Sequence, residues 1–114
     1  MTVEPSSPQV AQPRPKERED TRTRRVPPYH VILENDAYHS MDFVVEVIQK
    51  ALGYNLQRAF LLMEEAHTKG RAVVWTGPRE VAELKVDQIL SLPEIRDGRD
   101  LGPLSCVIEP APGG

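Results

Sequence analysis

The hydrophobic and polar positions after residue 28 change their period along the chain, and each change marks a new element. Residues 29–33 form a short run of β-branched and aromatic side chains, which predicts a first strand, and Asn35-Asp36 follows as a break. Ser40 then suits an N-cap, and Gly53 suits a helix stop. Between them the apolar residues recur at helical spacing: Met41, Val44, Val45, Ile48 and Leu52. The pattern predicts a first helix between Ser40 and Gly53.

A second helix is predicted between Asn55, which suits an N-cap, and Gly70, which suits a C-terminal stop. The residues expected on its apolar face are Leu56, Ala59, Phe60, Met63 and Ala66. His67 therefore falls in the last turn of this helix.

The second half of the chain repeats the alternation of strand and helix. Residues 72–75 are apolar and β-prone, and Pro78 suits the first position of a third helix that we expect to reach about Leu92. The residues expected on its inward stripe are Ala82, Val86, Ile89 and Leu90. Residues 93–102 are interpreted as a charged loop. Residues 104–108 are predicted to form the last strand.

The order β-α-α-β-α-β predicts an α+β fold: a single domain with a three-stranded sheet and three helices packed on one face. We expect this domain to span residues 28–110 and residues 111–114 to be a frayed tail. Residues 1–27 contain few large apolar side chains and many prolines and charges, which predicts a disordered N-terminal extension.

Composition adds limits on the class of protein. With 114 residues, 39% hydrophobic content and a formal charge of -3, the chain is typical of a one-core cytoplasmic protein. No apolar run approaches the roughly 18 residues of a membrane span, and no signal-peptide pattern is present. Cys106 is the only cysteine, which suits a reducing compartment. We therefore expect a cytoplasmic protein without membrane association.

Enzymatic motifs are scarce in the sequence. There is no Gly-rich phosphate loop, no HExxH and no nucleophile-elbow serine, so we expect neither catalysis nor a cofactor. His30, His39 and His67 lie on different elements, which gives no metal-ligand spacing. Arg22, Arg24 and Arg25 in the N-terminal extension could contact phosphates, but they lack interleaved aromatic residues, and a solvated linker is the favoured interpretation.

Several spaced blocks of the sequence resemble the ClpS family. These blocks are Val31-Ile32-Leu33-Glu34-Asn35-Asp36, Met41-Asp42-Phe43-Val44-Val45, Arg58-Ala59 through Met63, Ala66-His67, Gly70, Glu80-Val81-Ala82-Glu83 and Lys85. The resemblance covers roughly residues 27–109. It implies a non-enzymatic, monomeric adaptor that recognises N-degrons and delivers their bearers to a Clp-type AAA+ unfoldase of the ClpA or ClpC type.

The resemblance also implies roles for individual residues. Asn35, Asp36 and His67 would hold the ligand's α-amino group, because an ammonium offers only hydrogen-bond donors and needs acceptors. His67 must be neutral to accept, so binding should weaken as the pH falls through the ordinary range of histidine. The residues implied for the pocket of the first side chain, which would be Leu, Phe, Tyr or Trp, are Leu33, Met41, Val44, Met63, Ala66 and Leu104. Glu80 and Lys85 would dock on the N-terminal domain of the unfoldase.

The sequence departs from the family pattern at three places. Ala37 stands where a second acidic residue commonly helps to hold the amine, and Ala66 stands where many relatives have Val, which should enlarge the pocket. The 93–102 connection is longer than expected and leads to Leu104. One alternative therefore stays open, a divergent regulator that docks on the unfoldase but holds amines weakly or not at all. Another is a nucleic-acid-binding module acting through the arginines of residues 1–27.

Overall fold

A computed structural model describes residues 26–112, and its compact unit spans Pro28–Ala111. The strands and helices predicted from the sequence are present in the predicted order, with one additional hairpin. The elements are β1 (Tyr29–Glu34), α1 (Met41–Leu52), α2 (Leu56–Lys69), β2 (Arg71–Gly77), α3 (Arg79–Leu90), β3 (Ile95–Arg96), β4 (Arg99–Asp100) and β5 (Ser105–Pro110). The disorder predicted for residues 1–27 falls largely outside the described residues, as do residues 113 and 114.

The main sheet has the order β2-β1-β5, with β1 in the centre and antiparallel to both neighbours. Alternation along β1 directs Val31 and Leu33 into the core against the helices, where both are almost fully buried. A bulge in the pairing with β2 leaves Val74 as an extra residue, so that Val74 and Trp75 both pack on the helical side. The predicted α+β sandwich, with all three helices on one face, is confirmed.

The helix boundaries follow from the predicted capping residues. The Ser40 hydroxyl accepts from the Phe43 N–H at 3.1 Å, and the Asn55 side chain accepts from the Arg58 N–H at 2.8 Å. Gly53 and Gly70 end α1 and α2 with φ of 74° and 91°, in the left-handed region that favours glycine. These contacts position the start of α1 and the end of α2.

Two predicted helix faces are partly wrong. On α2 the core contact is made by Ala59, Met63 and Ala66, whereas Leu56 and Phe60 are 62% and 46% exposed. The buried stripe is narrow because α1 and β2 contact only one side of α2, and Leu56 and Phe60 are rotated away from its centre. On α3, Ala82 and Ile89 are buried and Val86 is half-buried, but Leu90 is 39% exposed. Helix α3 also ends at Leu90, and Pro78 is its N-cap rather than its first residue.

The segment interpreted as a charged loop contains a short β-hairpin. Strands β3 and β4 pair through Ile95 with Asp100 and Arg96 with Arg99. Asp97 and Gly98 form the turn, both with positive φ, 54° and 78°, as a two-residue type I′ hairpin requires. Backbone bonds between Glu94 and the 101–102 segment extend the hairpin toward its base. The connection to β5 is therefore structured rather than irregular.

No helix among residues 26–112 is long and apolar enough to cross a membrane.

Candidate functional site

One cavity, of about 170 Å³, opens where the end of β1, the start of α1 and the end of α2 meet. Every residue predicted to bind the amine or the first side chain lines it: Leu33, Asn35, Asp36, Met41, Val44, Met63, Ala66, His67 and Leu104. The other lining residues are Glu34, Ala37 and His39. The structure thus brings residues from five segments of the chain together, while their individual roles stay predictions.

The inner part of the cavity is apolar. Leu33, Met63, Ala66 and Leu104 are each at most 5% exposed and belong to the core that the sheet shares with the helices. Met41, the first residue of α1, lies at the rim and is 48% exposed. This arrangement arises because α1 leads away from the cavity and α2 returns to it, so that the first turn of one adjoins the last turns of the other.

The outer part of the cavity is polar. The Asn35 N–H donates to the Gly70 carbonyl at 3.0 Å, which holds Asn35 beside the C-terminal end of α2, where His67 lies. Both side chains are exposed, and neither has a hydrogen-bond partner among residues 26–112. Asn35 and His67 can therefore offer acceptor atoms to a ligand.

Asp36 lines the same cavity, but its carboxylate already has three donors. Oδ1 accepts from the backbone N–H groups of Tyr38 and His39, each at 2.8 Å, and Oδ2 lies 2.7 Å from Nδ1 of His39. Partial burial acts to raise the pKa of Asp36, but these hydrogen bonds from His39 and Tyr38 outweigh it and hold the pKa below its ordinary value. Asp36 is thus an ionised acceptor that first of all shapes its own loop.

His39 is a site residue that the sequence reasoning missed. Its side chain is 5% exposed, its Nδ1 faces Asp36, and its Nε2 lies 2.9 Å from the Gly102 carbonyl oxygen. The ring also stacks on Phe43, with 5.6 Å between the ring centroids. Burial acts to lower the pKa of His39, but the Gly102 carbonyl and the Asp36 carboxylate, together with the charge of Glu94, outweigh it and raise the pKa. The sequence did carry a signal for this contact, because Asp36 precedes His39 by three residues, and a short loop can bring two such side chains together.

Glu94 forms a second link between the same two segments. It is 6% exposed, and its carboxylate accepts from the Ser40 N–H at 3.1 Å and from the Ser40 hydroxyl at 3.0 Å. Arg96 lies 3.4 Å from Glu94 and donates to the Tyr38 carbonyl. The 93–102 segment, which is longer than the family pattern, therefore packs directly against the 35–40 loop that carries the polar residues.

The residues predicted for docking lie on α3 and do not line the cavity. Glu80 is exposed in the first turn. Lys85 is half-buried, with Nζ 5.9 Å from the centroid of the Trp75 ring. Their role stays a prediction. No group of three or more His, Cys, Asp or Glu within the described part of the chain could hold a metal ion.

Comparison with known proteins gives consistent results. The family model described as ATP-dependent Clp protease adaptor protein ClpS matches residues 24–107. A ClpS adapter protein of Aromatoleum aromaticum is 39% identical over 93 residues, covering 82% of this chain and 87% of that protein. One from a Ruegeria species is 43% identical over 88 residues, covering 77% and 74%. The structure of Agrobacterium tumefaciens ClpS2 bound to L-phenylalaninamide aligns with a TM-score of 0.66 and 30% identity, covering 75% of this chain and 98% of that one.

Proposed function

Because this chain belongs to the ClpS family of ATP-dependent Clp protease adaptors, we propose that its cavity binds the free α-amino group and the first side chain of protein substrates. The observation that carries this proposal is the division of one cavity into an apolar inner part and a polar mouth. In that mouth, neither Asn35 nor His67 has a side-chain hydrogen-bond partner among residues 26–112. An amino-terminal residue has the matching division, since its side chain is apolar and its ammonium donates hydrogen bonds.

The ligand of the aligned relative supports the same assignment. L-Phenylalaninamide, bound in A. tumefaciens ClpS2, has a free amine, an aromatic side chain and a capped carboxyl group, as the first residue of a peptide has. In this chain the amine would meet Asn35 Oδ1 and a ring nitrogen of His67, while Met41 would close over the side chain. Leu, Phe, Tyr and Trp are the side chains we propose, with Ala66 leaving room for the larger ones.

The expected affinity is modest. Burial of a Leu or Phe side chain contributes roughly 1.5–3 kcal/mol, and each hydrogen bond to a charged group contributes about the same. One apolar burial and two such bonds together give roughly 4.5–9 kcal/mol. A binding free energy of about 8 kcal/mol, near the upper end of this range, corresponds to a Kd of about 1 μM.

Fluorescence anisotropy with labelled peptides tests the proposal. A peptide beginning with Phe should bind, and its N-acetylated form should bind at least about tenfold more weakly, because acetylation removes the charge and two donors. A His67→Ala substitution should reduce binding similarly. His30→Ala is the matched control, since His30 lies on β1 away from the cavity and pairs with Thr76. Equal binding of the free and acetylated peptides would refute the proposal.

For delivery of the substrate we propose that α3 docks on the N-terminal domain of a ClpA- or ClpC-type unfoldase through Glu80 and Lys85. Isothermal titration of that isolated domain with a Glu80→Lys variant tests this docking. Glu46→Lys on α1 is the control, because it makes the same charge change on a different helix. Docking through α3 predicts that Glu80→Lys loses affinity for the unfoldase domain and that Glu46→Lys keeps it. Equal affinity of both variants would exclude this docking.

Ala37 and the occupied carboxylate of Asp36 favour a second candidate function. With no carboxylate at position 37 and three donors already on Asp36, the amine would have fewer acceptors than the family pattern supplies. Such a protein would dock on the unfoldase and regulate it without holding amines. Unfoldase binding combined with no difference between free and acetylated peptides would select this candidate.

A further inference from the structure

The two segments that border the cavity on its loop side are joined through the ring of one histidine. His39 lies between the Asp36 carboxylate, next to Asn35, and the Gly102 carbonyl, two residues before Leu104. Asn35 belongs to the polar mouth and Leu104 to the apolar inner part. The ring therefore links the Asp36 side chain, beside the polar mouth, to the backbone of Gly102, which leads to the apolar inner part.

Both partners of the His39 ring are hydrogen-bond acceptors, so the protonation state of the ring decides whether both hydrogen bonds can form. A neutral imidazole has one N–H and one lone pair, so it can donate to the Asp36 carboxylate or to the Gly102 carbonyl but not to both. In the neutral state the remaining lone pair would face an oxygen at 2.7 or 2.9 Å. The imidazolium donates from both nitrogens and satisfies the geometry completely.

We propose that His39 is a positioning residue of the ligand site, which as an imidazolium clamps Asp36 to Gly102 and so holds Asn35 and Leu104 in their binding positions. This inference rests on the proposed function for its effect on ligands, although the clamp itself does not. His39 touches no ligand in this scheme and acts through the two loops. Release of one of its hydrogen bonds above the titration range of the ring loosens the site and weakens binding.

The charges around the ring support the clamp. On the ring's own loop Asp36 faces it, and from the 93–102 segment the charge of Glu94 acts on it. Arg96 offsets part of the charge of Glu94, and Asp100 is engaged by the Gly102 N–H at 2.8 Å. From α1 only the uncharged ring of Phe43 stacks on it. The net negative surroundings are consistent with the raised pKa of His39.

The first experiment compares peptide affinity of the wild-type protein and a His39→Gln variant from pH 6 to pH 9. Because all ionisable groups other than His39 are common to both proteins, the ratio of the variant's Kd to the wild-type Kd isolates the effect of His39. The ratio should be of the order of tenfold at pH 6, the effect of one charge-assisted hydrogen bond, and should fall toward one as the pH rises. His30→Gln is the control and should give a ratio near one throughout.

Two results would overturn the clamp. A ratio that is high but independent of pH would mean that the ring is needed for its shape rather than for its charge. A ratio near one at every pH would mean that the ring does not position the site.

A second measurement does not depend on peptide binding or on the folding of a variant. Nuclear magnetic resonance of the wild-type protein follows the His39 ring and the backbone amides of residues 35–36 and 101–104 through the same pH range. The clamp predicts that both sets of amides shift together with the titration of the ring, above the ordinary histidine pKa of about 6.5. If the amides do not follow the ring, the inference is wrong. If they do and no peptide binds, the inference stands and the proposed function fails.

Discussion

Substitution of Glu94 is expected to destabilise the domain more than its position in a surface segment suggests. Glu94 is 6% exposed and accepts two hydrogen bonds from Ser40, the N-cap of α1. A Glu94→Ala variant leaves the Ser40 N–H and hydroxyl without this acceptor and removes one of the two partners of Arg96. The backbone bonds of residue 94 to the 101–102 segment are retained, so the change acts on the side-chain link alone.

The magnitude follows from those two bonds. Hydrogen bonds to charged groups contribute about 1.5–3 kcal/mol each, and part of the loss is recovered where water reaches the half-buried Ser40. We therefore expect the free energy of unfolding to fall by about 2–4 kcal/mol. Glu94→Gln keeps one acceptor and the shape of the side chain, and should cost about 1 kcal/mol.

Urea denaturation followed by circular dichroism measures these changes. With a slope of about 1.5 kcal/mol/M for a small domain, the midpoint of Glu94→Ala should fall by about 2 M. Glu109→Ala is the matched control, because Glu109 forms a solvent-exposed pair with Arg71 and its loss should change the free energy of unfolding little. The assigned role of the Ser40 contact is wrong if the free energy of unfolding of Glu94→Ala lies within about 0.5 kcal/mol of the wild-type value. It is also wrong if Glu94→Ala lowers this free energy no more than Glu109→Ala does.

Three further outcomes are expected. Burial and the nearby charge of Glu34 raise the pKa of Cys106 to about 12, so Ellman's reagent should react with the native protein only as fast as it unfolds, and rapid native labelling at pH 8 would contradict this. The raised pKa of His39 gives stability that is lost as the pH rises through it, and the lowered pKa of Asp36 gives stability that is lost as the pH falls through it. The excess thermal stability of the wild type over His39→Gln should therefore be largest between about pH 4 and 6.5 and smaller on either side, whereas a constant difference would exclude the linkage. A Cβ added at Gly77 would overlap the ring of Trp75, so Gly77→Ala should cost about 1–3 kcal/mol and shift the tryptophan fluorescence, while unchanged emission would refute the contact.

The main elements could be predicted from the sequence because their signals are local. Ser40 and Asn55 act as caps within three residues of their donors, and the helical period of α1 is carried by its own side chains. The faces of α2 were harder to predict, because the tertiary neighbours decide which of several apolar residues is covered. The hairpin at residues 95–100 had a local signal as well, the Asp97-Gly98 pair that favours a type I′ turn, but no alternating apolar strands flank it.

The site shows the same division between local and non-local information. The family resemblance supplied residues that line one cavity, although nothing in their spacing alone indicates that β1, α2 and residue 104 meet. The network of His39, Glu94 and Gly102 could not be derived in this way. Its contacts join residues more than fifty positions apart. The spacing of Asp36 and His39 indicates only their local contact, and a glutamate in a charged segment gives no sign of a distant partner.

The polar mouth of the cavity offers a test of how Ala37 affects the proposed binding of an amine. Asp36 already accepts three hydrogen bonds, so under the proposed function a ligand ammonium would be held mainly by Asn35 and His67. An Ala37→Asp variant places a carboxylate at an exposed position of the cavity lining. An exposed ion pair contributes about 0.2–1 kcal/mol, so the affinity for a free-amine peptide should rise by up to about fivefold and become more sensitive to salt. Ala37→Asn has nearly the same shape without the charge, and equal anisotropy titrations of the two variants would show that charge at position 37 has no part in holding the amine.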